Sequence, residues 1–247
     1  MHRCFVTDLS QACVTGLVLE RDESHHLRNV LRVRCGDKIE LFDGKGSTAV
    51  GLVGRITNHT IVFEELSEVS KHCRPLCALT LFVCVCKGAR MEWLIEKAVE
   101  LSVVRIVPVV SARTIVRLPT DGKEINKCSR WQHIATEALR QCGGVWMPVI
   151  DPPSDIKKAA GEIQNISPTF VAALSPSAIA LRKVLNTYEH GSIKKAGWFV
   201  GPEGDFTPEE LELLAGAGAI PVSLGKNILR AETAAIYGLA ILNNMFL

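Results

Sequence analysis

The 247-residue chain lacks any apolar run of the roughly 18 residues needed to cross a bilayer, and its first residues, "MHRCFVTDLSQ", lack the apolar core of a secretion signal. Those absences exclude a helical membrane protein and lead to the expectation of a soluble, cytoplasmic chain without a membrane partner. Charge of one sign is also scarce: the net formal charge is only +2. The balance is uneven along the chain, however. Residues 1–71 carry 9 Lys and Arg against 10 Asp and Glu, residues 72–147 carry 11 against 6, and residues 148–247 carry 8 against 10. The middle portion, at +5, is where a polyanion would lie, unless it is simply a solvated helix face. Both phosphate-binding fingerprints, G-x-G-x-x-G and G-x-x-x-x-G-K-[ST], are missing, which disfavours a dinucleotide-dependent oxidoreductase. Cysteine is not scarce, but the count of nine is odd and the spacing irregular. The cluster of His72, Cys73, Cys77, Cys84 and Cys86 lacks the two paired knuckles with a spacer that structural zinc uses, so reduced thiols and no metal are expected.

What is present falls into two textures. Up to about Glu68 short β-like runs, "GLVLE", "KIELF", "TAVGLVGRI" and "HTIVFEEL", alternate with turn-rich segments and one helix at "SHHLRNVLR", which predicts a small barrel or meander. From Ala78 strands alternate with helices: "LTLFVCVC", "ARMEWLIEKAVELS", "VRIVPVV", "KCSRWQHIATEALRQC", "WMPVI", "SDIKKAAGEI", "TFVAAL", "AIALRKVLN", "GWFV", "PEELELLAGAG", "PVSL" and "AETAAIYGLAILNNMF". Such alternation predicts an α/β domain with a mostly parallel sheet. The boundary is placed at "SEVSKHCRP", giving domains 1–71 and 72–247. Leu94, Ile95, Ala98 and Leu101 share one helix face, as do Trp131, Ile134, Ala135, Ala138 and Leu139 on the next, and both stripes read as core.

In parallel α/β sheets ligands bind beyond the carboxyl ends of strands, which singles out "GPEGDFTP" after "WFV" and "GKNILRAET" after "PVSL". In the first, Thr207, Pro208 and Glu210 form a T-x-x-E capping box with proline at the first helical position, while Gly201 and Gly204 let bare backbone approach a ligand. Glu203 and Asp205, with no lysine nearby, suit hydroxyls, an amine or a cation rather than phosphate. A plain capping turn is the alternative. In the second loop Arg230 sits at a helix N-terminus, against the usual charge preference, which points to pairing with an oxyanion or buried carboxylate or else to a surface salt bridge.

"FVGPEGDFTPEEL" followed by "VSLGKNILRAETAAI" resembles the C-terminal motif of the RsmE family of 16S ribosomal RNA uracil-N3 methyltransferases, within the SPOUT superfamily. "HHLRNVLRVRCGDKIELFDGKG" is similar to that family's N-terminal PUA-like barrel, "KGARMEWLIEKAVELSVVRIVPVVSART" to its first helix-strand unit and "WQHIATEALRQCGG" to its central helix. The resemblance implies a SPOUT-type sheet with a C-terminal trefoil knot, a homodimer, and S-adenosylmethionine as cofactor. It implies a cofactor site built from Leu174, Gly201, Pro202, Glu203, Gly204, Leu224, Gly225, Ile228, Leu229 and Arg230. The implied partner is 16S rRNA or the small ribosomal subunit, and the implied reaction is methylation of uridine N3. Arg230 is assigned to stabilising the uracil anion, and Glu232 is the candidate proton acceptor, with solvent as the alternative. Arg3, Arg28, Arg32 and Arg34 on the barrel, and Arg90, Arg113, Arg117 and Arg140 on the catalytic domain, are the candidate RNA contacts. The chain departs from the family where Gly144, Trp146 and Asn227 replace commonly basic residues, and Trp146 is either a base-stacking substitute or a core residue. A non-catalytic RNA-binding or assembly factor of the same fold, and a methyltransferase of another RNA pyrimidine, stay open as alternatives.

Overall fold

The computed structural model describes residues 1–9, 17–19, 21–116, 123–189 and 191–246. The chain divides into two compact units, one of Met1–Arg74 with Leu139–Met147, the other of Pro75–Ala138 with Pro148–Leu247. The segment 139–147, which the sequence reading assigns to the second domain, therefore belongs to the first unit.

The first unit holds β1 (His2–Phe5), β2 (Leu17–Val18), α1 (Arg21–His25) running into a π-helical turn (His26–Val30), β3 (Lys38–Phe42), β4 (Ser47–Ile56), β5 (Ile61–Leu66) and β6 (Ser70–Lys71). The strand order is β1-β3-β4-β5-β2, with β6 added on β4, and among the described residues no ladder joins β1 to β2. Strand β1, absent from the sequence reading, pairs parallel with β3, and the other ladders are antiparallel. Register shifts in the β4–β5 ladder around Val53 sharpen the twist that wraps the sheet over Cys4, Leu27, Ile39, Leu41, Val53, Ile61 and Phe63.

The returning segment is bound in by buried arginines. Arg3 is only 9% exposed; it donates to the carbonyls of Leu139 at 2.6 Å and Gly144 at 3.1 Å and pairs with Glu40 at 3.4 Å. Arg140 donates to both Glu23 oxygens, at 2.7 and 2.9 Å. Trp146 lies with its ring against Gly46, where a Cβ would collide with it; its indole N–H donates to the Cys73 carbonyl at 2.9 Å, and the Arg74 guanidinium stacks 4.6 Å from the ring centre.

The second unit contains β7 (Ala78–Cys84), α2 (Ala89–Glu100), β8 (Arg105–Val110), α3 (Lys123–Cys142, its last turn belonging to the first unit), β9 (Val149–Ile150), β10 (Ser154–Asp155), α4 (Ile156–Ile163), β11 (Thr169–Ala172), β12 (Ile179–Ala180), α5 (Leu181–Leu185), β13 (Lys195–Val200), α6 (Pro208–Gly216), β14 (Ala219–Ser223) and α7 (Ala231–Phe246). Its sheet runs β10-β8-β7-β13-β11-β14-β12, with β9 also on β8, and all its ladders are parallel. The central strands are apolar on both faces because helices cover both. Phe82 and Phe199 stack across neighbouring strands at 5.1 Å, and Phe206 meets Phe199 edge-on at 5.6 Å. Among the described residues no helix is long and apolar enough to cross a membrane.

The described cysteines are all free. Burial raises the Cys84 thiol to about 12 and the Cys77 and Cys86 thiols to about 11 each, from an ordinary 9.0. Iodoacetamide at mildly alkaline pH should therefore label exposed Cys35, Cys73 and Cys142 while leaving these three intact, read by peptide mass spectrometry. The thiols are neutral in the folded state while the unfolded chain ionises first. Their contribution to stability is therefore full below pH 9 and declines as pH climbs toward 11 to 12.

Candidate active site

The loops that follow β11, β13 and β14 converge because these three strands are parallel and β11 lies between the other two, so their carboxyl ends share one edge. The β13 loop is fixed first at its helix. Thr207 Oγ1 accepts from the Glu210 N–H at 3.2 Å, and Glu210 accepts from the Thr207 N–H at 2.9 Å, so the capping box read from the sequence is formed. The other Glu210 oxygen accepts the Ala112 N–H at 2.7 Å, which ties the segment after β8 to the same turn.

Further braces hold the loop open. Asp205, at φ 57°, lets its Oδ2 accept the Leu174 N–H at 3.1 Å, joining the loops after β13 and β11. Arg113 Nη1 donates to the carbonyls of Gly204 at 2.8 Å and Phe206 at 3.2 Å. Arg90, in the first turn of α2, pairs with Glu203 at 2.6 Å. In the last loop Gly225 takes φ 143°, a conformation costly for a side-chain-bearing residue, and this turns the chain back toward α7.

These elements enclose a cavity lined by Leu174, Gly201, Pro202, Glu203, Leu224, Gly225, Ile228 and Leu229, all expected from the sequence. Gly204 and Arg230 lie outside that lining; Gly204 meets Arg113 instead, and Arg230 is exposed beside the cavity at the start of α7. Asp205, read from the sequence with Glu203 as a ligand-facing carboxylate, also lines the cavity, while Ala173, Val200, Val222, Ser223, Asn227 and Ala234 were not anticipated in the lining. The strand-end residues among them follow from the parallel register, which becomes known only with the strand order.

The cavity is a slot of about 80 Å³, below the roughly 300 Å³ of pockets that engulf a drug-sized ligand. Leu174 and Ile228 stand at it with 60% and 78% of their surfaces exposed. Its walls combine apolar side chains, bare backbone and two carboxylates, with no cation in the lining. That donor set fits a flat heterocycle carrying hydroxyls and positive charge, and opposes a phosphate.

Glu232 is half-buried in the first turn of α7, with Oε2 fully shielded and lacking a hydrogen-bond partner among the described residues. The Cys86 thiol at the end of β7 is raised chiefly by burial and then by the charges of Glu203 and Glu232, so both carboxylates act on that strand end. Among the described residues no cluster of three metal-ligating side chains occurs.

The proposed RNA contacts divide. Arg3 and Arg140 are buried inside the first unit, because their guanidiniums satisfy Leu139, Gly144, Glu40 and Glu23. Arg90 and Arg113 brace the β13 loop rather than extend freely. Arg28 is half-buried and holds the turn at Thr57 and Asn58 through their carbonyls, at 3.1 and 2.6 Å. Arg32 and Arg34 are exposed, and Arg117 lies outside the described residues.

A fully parallel sheet with a ligand slot at its carboxyl edge, preceded by a β-rich unit, is the arrangement of a ligand-binding α/β protein, and the family comparisons make that class an RNA methyltransferase. The RNA methyltransferase domain model matches residues 72–243, and the RNA methyltransferase PUA domain model matches 19–66. Ribosomal RNA small subunit methyltransferase E of Synechocystis sp. is 31% identical over 92% of this chain and 72% of its own length. A ribosomal RNA small subunit methyltransferase E from Neisseria gonorrhoeae, solved bound to S-adenosyl methionine, superposes with a TM-score of 0.84 at 29% identity, covering 100% of this chain and 98% of that one. A methyltransferase from Legionella pneumophila, solved with bound SAM, gives 0.88 at 26% identity, covering 98% and 96%. The chain belongs to the ribosomal RNA small subunit methyltransferase E family.

Proposed function

We propose that this protein is a cytoplasmic, S-adenosylmethionine-dependent methyltransferase acting on N3 of a uridine in 16S ribosomal RNA. The observation that carries the reading is the phosphate-averse slot formed by the loops after β11, β13 and β14 in a chain of this family. Gly201, Pro202, Leu224, Gly225 and Leu229 would hold the cofactor by backbone and apolar contact, with its exposed part under Leu174 and Ile228. When bound, the cofactor supplies an electrophilic sulfonium methyl group.

The chain's own residues must then prepare the acceptor. Uridine N3 is a nucleophile only after losing its proton. The shielded, unpartnered Oε2 of Glu232 is suited to take that proton, since no hydrogen bond from the chain has to be broken first. Arg230, exposed beside the slot, offsets the negative charge that spreads over the uracil ring. Because N3 lies on the Watson–Crick edge, the base must be unpaired or flipped to reach these groups. Arg28, Arg32 and Arg34 of the first unit are proposed to contact the RNA backbone.

The trefoil knot is part of the proposal. It is supported by the strand order β11-β14-β12, in which the last strand enters between two laid down earlier before α7 packs back on β7 and β13. A homodimer is likewise proposed. Its support is apolar surface on the two helices that the Asn243-to-Leu101 hydrogen bond joins, with Trp93 on α2 and Tyr237 on α7 both near half exposed. Analytical ultracentrifugation measures it directly.

Purified protein should bind S-adenosylmethionine in calorimetry and introduce 3-methyluridine into 16S rRNA from cells lacking the enzyme, detected by nucleoside mass spectrometry. Absence of binding would remove the cofactor, and a methylated base other than uridine would move the target. Glu203→Ala should weaken cofactor binding by about tenfold, worth about 1.4 kcal/mol, as both its charge and its hold on Arg90 are lost.

A further inference from the structure

A second cavity of about 460 Å³ opens one strand away from the slot, beyond the carboxyl ends of β7 and β8. Its volume lies within the range of small-ligand sites, where the slot's does not. The floor is apolar and buried, made by Val85, Met91 and Trp131, and Ile115 stands at its edge with 70% of its surface exposed. Three cations border it: Lys87, Lys127 and Arg130. Arg130 is neutralised by Glu92, through Nε to Oε1 at 2.6 Å and Nη2 to Oε2 at 2.9 Å. Neither lysine has an ion pair among the described residues, so two of the three bordering cations lack a direct carboxylate partner.

An apolar floor wide enough for a ring, bordered by uncompensated lysines, is complementary to a base with phosphates on either side. The cavity also connects chemically to the slot. Cys86 forms part of its wall, and the charges of both Glu203 and Glu232 reach that thiol. Arg90, two residues beyond the cavity's Gly88, bonds Glu203 of the slot.

We infer that this cavity receives the acceptor nucleotide, its pyrimidine ring against Val85, Met91 and Trp131 and its flanking phosphates on Lys87 and Lys127. The assignment rests on the methyltransferase reading and adds to it where the RNA substrate enters. Arginines 90 and 113 are then free to brace the cofactor loop, while two lysines absent from the sequence-based list of RNA contacts grip the substrate.

The test uses the full chain and a 16S rRNA transcript carrying 4-thiouridine, photo-crosslinked and mapped by peptide mass spectrometry. Crosslinks are expected on Lys87–Met91, Ile115 or Lys127–Trp131. In parallel, Lys87→Ala with Lys127→Ala should lower affinity for the unmodified transcript roughly tenfold and flatten the log–log salt slope by about 1.4, at about 0.7 per single-strand phosphate contact. Calorimetric affinity for S-adenosylmethionine should be unchanged. Wild-type methylation together with an unaltered salt slope in the double variant, and crosslinks elsewhere, would overturn the cavity assignment and leave the methyltransferase standing. Crosslinks in the cavity without cofactor binding would do the reverse. Conversion of a dimer to a monomer by Ile115→Glu, with no crosslink at the cavity, would give this surface to a second copy of the chain and also overturn the inference.

Discussion

Arg230→Ala should reduce the rate of uridine methylation by about 100- to 1000-fold while leaving cofactor affinity within about twofold, measured by single-turnover methylation and calorimetry on the same preparation. The split follows from placement. Arg230 is exposed and absent from the slot lining, so it contributes little to holding the cofactor. Its charge is useful when the acceptor ring becomes an anion, and loss of one preorganised donor to a developing oxyanion commonly costs about two to three orders of magnitude. Glu232→Gln serves as the contrasting variant. Its amide is isosteric but cannot accept the proton, so its rate should recover as pH rises and the substrate ionises in solvent. The Arg230→Ala rate should gain much less over the same range. Equal pH profiles for the two would show that Glu232 is not the proton acceptor. If Arg230→Ala weakened cofactor binding and rate in equal proportion, Arg230 would be a binding residue.

The parts of this site that were legible in sequence are those encoded locally. "TPEE" specifies its capping box within four residues, and the structure forms both of its hydrogen bonds. The glycines and acidic residues of "GPEGD" mark a close-approach loop, and most of the lining residues that the family resemblance implied meet around one slot. What was illegible depends on strands distant in sequence. That β14 lies between β11 and β12 follows from the path of the whole chain, and periodicity carries no trace of it. The internal partners of Arg3 and Arg90 were hidden for the same reason. Arg3 reads as a basic residue on an edge, and only the return of residues 139–147 to the first unit supplies the carbonyls of Leu139 and Gly144 that bury it. Likewise, nothing near "KGARME" indicates that Glu203, far along the chain, will engage Arg90. The Gly144 and Trp146 departures gain a local explanation. A Cβ at 144 would collide with the Leu139 side chain, and Trp146 fills the space over Gly46 with Arg74 on its ring, so both positions serve packing in the first unit.

Gly238→Ala should destabilise the catalytic unit by about 1–3 kcal/mol, the usual cost of overpacking a filled core, despite replacing the poorer helix former with the best one. Gly238 is buried in α7, where a Cβ would fall inside the indole ring of Trp198 on β13. That ring is 1% exposed, and its N–H donates to the Ala234 carbonyl at 3.3 Å, so withdrawing it breaks a buried hydrogen bond as well as the packing. The gain in helix propensity, about 1 kcal/mol, is smaller than the clash when the obstacle is a rigid ring rather than the tip of a flexible chain. Gly161→Ala isolates the propensity term. Gly161 is exposed in α4, its φ is not left-handed, and nothing lies within 4 Å of a Cβ placed there. It should raise stability by about 0.5–1 kcal/mol. Urea unfolding followed by tryptophan fluorescence should therefore shift the two midpoints in opposite directions. Because Arg230 immediately precedes α7 and Glu232 lies in its first turn, a loosened Gly238–Trp198 contact should impair methylation below the unfolding transition. Full activity in a destabilised Gly238→Ala protein would show instead that the first turn of α7 is held by the slot loops alone.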